Sequence, residues 1–157
     1  MSADPAELHA RVEGVTEELR AWAGQRSDIR ALALVGSHAR SPGHATAESD
    51  VDIMVLTTRL SWYTDGTNRF PGTLELPPLR ARQWGPVAER RLRHRATGLV
   101  VELNFATPDW AATEPAVDAG TLRVITDGLR ALHDPHGLLA RLVGTCRAVA
   151  GREGGNR

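Results

Sequence analysis

An α/β domain, with a mixed β-sheet flanked by helices, is the fold this sequence predicts, and three observations predict it. The chain opens with a helix-start signal, Asp4-Pro5-Ala6-Glu7, followed by apolar residues at helical spacing. Stretches of strand length and pattern come next, at 29–35, 50–57, 87–95 and 99–106. A second helical pattern, 138–149, lies near the end.

Each element has its own reason. Leu8, Val12, Val15, Leu19 and Trp22 recur every three to four residues, and Gly24 can stop that helix. Residues 29–35 are apolar and run into Gly36-Ser37, which reads as a buried strand ending in a tight turn. The stretch from His38 to Ala47 has room for one short helix. In 50–57, Val51, Ile53 and Val55 face one way while Asp50, Asp52, Met54 and Leu56 face the other.

Residues 59–78 hold Asp65-Gly66, Pro71-Gly72 and Pro77-Pro78, so they are expected to form a long excursion with little regular structure. The runs 87–95 and 99–106 read as a hairpin turning at Thr97-Gly98. Leu99, Val101, Leu103 and Phe105 would then face the core, with Val100, Glu102 and Asn104 opposite. Residues 129–133 are expected as a last strand before Asp134-Pro135. One domain, 1–150, is expected, with a disordered tail at 151–157.

Composition removes several classes of function. At 157 residues and 17.0 kDa one core suffices. Nineteen basic residues balance 19 acidic ones, which lacks the global positive charge of a non-specific nucleic-acid binder. All the basic residues are Arg, so neither lysine Schiff-base chemistry nor a Walker A loop is available. Cys146 stands alone and is expected to be buried and inert; it cannot form an intramolecular disulfide or a cysteine-rich zinc site. No apolar run approaches membrane-spanning length and the first residues resemble no targeting signal, so a cytoplasmic, non-membrane protein is expected.

The chemistry concentrates in Val35-Gly36-Ser37 and, after a gap of twelve residues, Asp50-Val51-Asp52-Ile53. Strand alternation puts Asp50 and Asp52 on one face about 6–7 Å apart at Cα. Two bare charges at that range repel by roughly 2–3 kcal/mol at an effective dielectric near 20. A divalent cation turns that repulsion into ligation, since Mg²⁺ takes one or two carboxylates plus phosphate oxygens. Gly36 allows close approach of a triphosphate, Ser37 adds a hydroxyl, and Arg40 is placed to meet phosphate.

This arrangement resembles the DNA polymerase β-like nucleotidyltransferase superfamily, whose pattern is a hydrophobic residue, Gly, Gly or Ser, a gap of about ten residues, then Asp, hydrophobic, Asp or Glu, hydrophobic. Residues 35–37 and 50–53 match each element. The resemblance implies the nucleotidyltransferase fold, and Mg²⁺-dependent transfer of a nucleoside monophosphate from an NTP, with ATP the expected donor, to an acceptor hydroxyl. It implies metal ligation by Asp50 and Asp52, with Glu102 as the third carboxylate, either ligating or acting as general base. Gly36, Ser37 and Arg40 would hold the phosphates.

With a two-residue turn at Thr97-Gly98, Arg93 would lie across from Glu102 and orient it or touch phosphate; Arg91 and Arg95 would share that face. A small-molecule or protein acceptor is expected, with a homodimer or a helical protein partner as further possibilities. The alternative function is an antitoxin-type minimal nucleotidyltransferase, or a degenerate domain, that binds such a partner.

Other residues read as structural. Gly36-Ser37-His38 lacks the hydrolase elbow around a nucleophilic serine. His38 with His44, and His133 with His136, lack a third soft ligand. Trp62, Tyr63, Trp84 and Trp110 are expected as core or loop anchors, Trp62 and Tyr63 being the likeliest exceptions.

Overall fold

The computed structural model of the chain describes residues 4–40, 45–46 and 48–155. Asp4 caps the first helix, its carboxylate accepting from the Ala6 N–H at 3.2 Å, with Pro5 in the first turn. Glu7 pairs with Arg11 at 2.7 Å, one turn along the helix. This helix, α1, spans Pro5–Gly24 and buries Leu8, Val12, Val15 and Leu19 against the sheet.

Six strands form one sheet: β1 Ile29–Val35, β2 Val51–Thr57, β3 Arg80–Trp84, β4 Val87–Arg93, β5 Val100–Ala106 and β6 Leu129–His133. Their order is β3-β4-β5-β2-β1-β6. The β2–β5 pair is parallel and the other pairs are antiparallel, so the sheet is mixed. Strands β1 and β2 are central and apolar on both faces because each face meets its own layer. On one face Leu32, Leu34, Val51, Ile53 and Val55 pack with α1, Tyr63, Phe70 and Phe105. On the other, Ala31, Ala33, Met54 and Leu56 pack with Trp110 and with Leu139, Leu142 and Cys146 of helix α4, Leu138–Gly155. Helix α3, Ala119–Asp127, adds Leu122, Val124 and Ile125 to that second layer.

The 59–78 excursion has little regular structure, as expected, beyond a short helix, α2 (Ser61–Thr64), and it delivers Tyr63, Phe70 and Leu74 into the core. Tyr63 stacks on Phe105 with ring centroids 4.8 Å apart, so the segment is a packed lid over the sheet. Strand β3 and helix α3 were not anticipated. The sequence Arg-Ala-Arg-Gln-Trp has no apolar alternation because β3 is an exposed edge. Helix α4 continues through Gly155, past the boundary expected at residue 150.

The β4–β5 hairpin turns over four residues, 95–98, with the His94 N–H donating to the Leu99 carbonyl at 2.8 Å. Thr97 closes this loop: its N–H donates to His94 Nδ1 and its hydroxyl accepts from the Leu99 N–H, each at 3.2 Å. Gly98 supplies the positive φ of 74°. The register is therefore two residues from the expected one, and Arg91 rather than Arg93 lies across from Glu102. A two-residue shift preserves the face, so the division between Leu99, Val101, Leu103, Phe105 and Glu102, Asn104 stands.

One buried polar group fastens the first strands. Asp28, just before β1, accepts from Thr57 Oγ1 at 2.8 Å and from the Tyr63 hydroxyl at 2.6 Å. Burial and the Asp28 carboxylate both push the Tyr63 phenol well above its usual pKa, so it stays a donor. Tyr63→Phe removes one of two donors from a buried carboxylate at nearly constant shape. It should cost about 1–3 kcal/mol, or roughly 2–12 °C in melting temperature at this chain length, in a thermal unfolding measurement.

Candidate functional site

The register of three neighbouring strands builds the site. Asp52 is flanked by Val35 on β1 and by Glu102 on β5, and Asp50 immediately precedes β2. One carboxylate oxygen from each of Asp50, Asp52 and Glu102 falls within 4.8 Å of the others. The parallel pairing makes Asp52 and Glu102 direct neighbours on one face, where backbone spacing alone holds their side chains together. Farther along the same face Met54 and Leu56 are buried, so the acids occupy the end of the strand where the apolar layer stops.

Gly36 follows β1 with φ 72° and ψ −155°, a conformation that side chains rarely adopt. A Cβ there would overlap Asp52 Oδ2, so glycine is required for space as well as for backbone angle. Ser37–Ala39 then form one turn of 3-10 helix. The His38 Nε2–H donates to the Ser49 carbonyl at 3.1 Å, tying that turn to the approach of β2. His38 thus has a structural bond, whereas His44 lies outside the described residues. His136 Nε2 accepts from Arg30 at 3.0 Å and so also has a protein partner.

The two expected phosphate-binding arginines each donate to a backbone carbonyl. Arg40 donates from Nε to the Asp127 carbonyl at 3.0 Å, and its stem lies against Gly128. Arg93 is exposed and donates to the Gly98 carbonyl at 2.8 Å, a consequence of the shifted hairpin register. Arg91 occupies the place expected of Arg93, and its Nη2 donates to Asp50 Oδ1 at 3.1 Å.

Sequence reading also missed Glu89. It is buried on the same face of β4 as Arg91 and accepts on Oε1 from Arg80 Nε at 3.0 Å and Nη2 at 2.6 Å. Its other oxygen accepts from the Trp84 indole N–H. Alternation along 87–93 marked the face, but the partners lie on β3, a strand that sequence pattern did not show. Together these residues enclose a cleft of about 510 Å³, with Gly36 and Asp52 on the β1–β2 side and Arg80, Trp84 and Glu89 on the β3–β4 side. Trp110 and Met54 add apolar lining, while Tyr63 belongs to the core on the opposite side of the sheet and the exposed Trp62 is not part of the cleft.

The acids perturb one another. Burial first, and then Asp50, raises Asp52 to about 6. Burial, and then Asp52, raises Glu102 to about 8. Burial also disfavours the charge on Glu89, but the bonds from Arg80 and Trp84 outweigh it and its pKa is lowered. Glu89 is therefore the ion-paired member, while Asp52 and Glu102 are short of compensating positive charge. The donor set is all oxygen, two Asp and one Glu, which suits Mg²⁺ or Mn²⁺.

Both raised values have the same sign. A folded-state pKa above the unfolded one contributes stability below the unfolded value, near pH 4, and that contribution is lost as pH rises through the folded values. Metal-free protein should therefore lose melting temperature between pH 5 and pH 8.5 in chelator, and Glu102→Gln should flatten the upper part of that decline. Gly36→Ala should lower stability at all pH values by about 1–3 kcal/mol, through strain and displacement of Asp52.

Searches against protein-family models and curated proteins find no match to the chain.

Proposed function

We propose that this chain is a Mg²⁺-dependent nucleotidyltransferase of the DNA polymerase β-like kind, which moves a nucleoside monophosphate from an NTP to an acceptor hydroxyl and releases pyrophosphate. The observation that carries this reading is the placement of Asp52 against Gly36 on one side and Glu102 on the other, with oxygens of Asp50, Asp52 and Glu102 within 4.8 Å. Three carboxylates drawn together with a single ion pair, Arg91 to Asp50, are costly unless a further cation is part of the design. The glycine beside them leaves room for phosphate.

On this reading Asp50 and Asp52 hold the metal, with Glu102 beside them. Bound there, Mg²⁺ supplies Lewis-acid polarisation of the phosphoryl oxygens and neutralises developing charge. Gly36 and the turn beginning at Ser37 receive the β- and γ-phosphates on the β1 side of the cleft. The acceptor oxygen attacks the α-phosphorus as the α–β bridging P–O bond breaks, and Glu102 takes the acceptor proton. Attacking and leaving oxygens lie roughly in line, which assigns the acceptor to the β4–β3 side, where Arg80 and Trp84 line the cleft. Positioning and charge account for the rate.

A protein-partner role is a second reading, favoured by the edge at β3, where Leu79 and Trp84 are each 56 % exposed and Leu76 is 47 % exposed. Among the described residues no helix is long and apolar enough to cross a membrane.

Calorimetric titration with each NTP, with and without Mg²⁺, tests the main reading. Metal-dependent binding is expected for at least ATP, and it should be lost in an Asp50→Asn/Asp52→Asn protein that still folds. Once an acceptor is found, Asp52→Asn should lower transfer by roughly a hundredfold or more, and full turnover in a folded Asp52→Asn protein would overturn the assignment. Absence of NTP binding in every condition, together with a stable homodimer or hetero-complex, would favour the partner role.

A further inference from the structure

We propose that Arg91 is an exchangeable counter-cation: it holds Asp50 while no divalent ion is bound, and turns to the phosphates of the nucleotide once one is. This inference rests on the nucleotidyltransferase reading and assigns a residue that neither the motif nor the expected hairpin register singled out.

Geometry puts Arg91 at the cluster. It lies opposite Glu102 across the β4–β5 pair, and its Nη2 donates to Asp50 Oδ1 at 3.1 Å. Asp50 is only 20 % exposed at its side chain and Arg91 33 %, so water screens this pair only in part. The neighbouring guanidiniums on the same face are already committed. Arg80 gives two hydrogen bonds to Glu89, and Arg93 bonds the Gly98 carbonyl. Arg91 is thus the cation that offsets part of the negative charge shared by Asp50, Asp52 and Glu102.

The arrangement is under-satisfied in a specific way. Arg91 Nε is buried and has no hydrogen-bond partner among the described residues. A buried donor without an acceptor carries a desolvation cost that a new acceptor would relieve. A divalent ion ligated by Asp50 would compete for the same carboxylate and repel the guanidinium beside it. Phosphate oxygens arriving with that ion match the guanidinium fork and offer Nε the acceptor it lacks. The chain has no lysine, so a guanidinium is the side-chain cation available for this task.

The test compares wild type, Arg91→Gln and Arg91→Lys by calorimetry, first with Mn²⁺ alone and then with α,β-methylene-ATP at saturating Mg²⁺. Arg91→Gln should bind Mn²⁺ about tenfold more tightly, because a competing cation is gone, and the nucleotide about tenfold more weakly, because a charged hydrogen-bond donor is gone. Opposite signs are the signature; a contact that merely supports the fold would weaken both. Arg91→Lys keeps the charge and loses the fork, so its Mn²⁺ affinity should stay near wild type while nucleotide affinity falls. Weaker Mn²⁺ binding or unchanged nucleotide binding in a folded Arg91→Gln protein overturns the inference. Should that variant fail to fold, unchanged nucleotide affinity in Arg91→Lys overturns it instead. Wild-type protein that binds no Mn²⁺ overturns the metal-site reading and this inference together, whereas wild-type binding that neither variant alters overturns the role of Arg91 alone.

Discussion

The contact between Gly36 and Asp52 is the constraint on which the rest of the site depends. Antiparallel pairing sets Val35 opposite Asp52, so the chain must turn away directly over a carboxylate. Only a residue without a Cβ fits beside Asp52 Oδ2, and only a permissive backbone takes φ 72° there. Once that turn is fixed, parallel pairing of β2 with β5 brings Glu102 alongside Asp52. The carboxylates are thus gathered by backbone hydrogen bonding, and the burial first, and then the mutual repulsion, that raise the pKa values of Asp52 and Glu102 are imposed by the sheet.

That repulsion needs support from elsewhere, and the two-layer core supplies it. Strands β1 and β2 are anchored on one face by α1 and the Tyr63–Phe105 stack, and on the other by α4 with Trp110. Asp28 adds a polar fastening at the far end of the same strands, where Thr57 and Tyr63 donate to it. Apolar burial and satisfied hydrogen bonds at one end thereby hold in place a partly compensated acidic cluster at the other. Stability and the proposed chemistry draw on opposite ends of β2.

Legibility in the sequence followed the range of the interactions. The shared face of Asp50 and Asp52 and the turn at Gly36 are legible because strand alternation and turn chemistry act within a few residues, and the face of Glu102 because it can be read from 99–105. The hairpin register was misjudged by two residues because Thr97 spends both its N–H and its hydroxyl on closing a four-residue loop, which composition does not reveal. That error put Arg93 where Arg91 stands. Strand β3 was hidden because an exposed edge has no apolar face to display, and with it went the Arg80–Glu89–Trp84 group. The Pro and Gly content of 59–78 signals its scarcity of regular structure, while Tyr63, Phe70 and Leu74 are core residues that it does not reveal; punctuation signals report backbone turns and say nothing of what the side chains between them cover.

The two carboxylate systems on this face differ in how their charge is met, and the difference bears on their roles. Glu89 is buried deeply but has both oxygens occupied, by Arg80 and by the Trp84 indole, and its pKa is lowered. It fixes the orientation of an arginine and an exposed tryptophan at the rim of the cleft. Among the described residues, Asp50, Asp52 and Glu102 receive a hydrogen bond from one guanidinium, that of Arg91. A closed network of the first kind is complete without a ligand, while an open one of the second kind leaves coordination capacity unused. The same sheet face therefore runs from an ion-paired wall on β3–β4 to an electrostatically incomplete centre on β2–β5, the two meeting where Glu89, its pKa lowered, adjoins Glu102, its pKa raised. On the proposed reading this is the division that phosphoryl transfer requires, since the acceptor must be held still beside groups whose charge is balanced only when metal and nucleotide arrive.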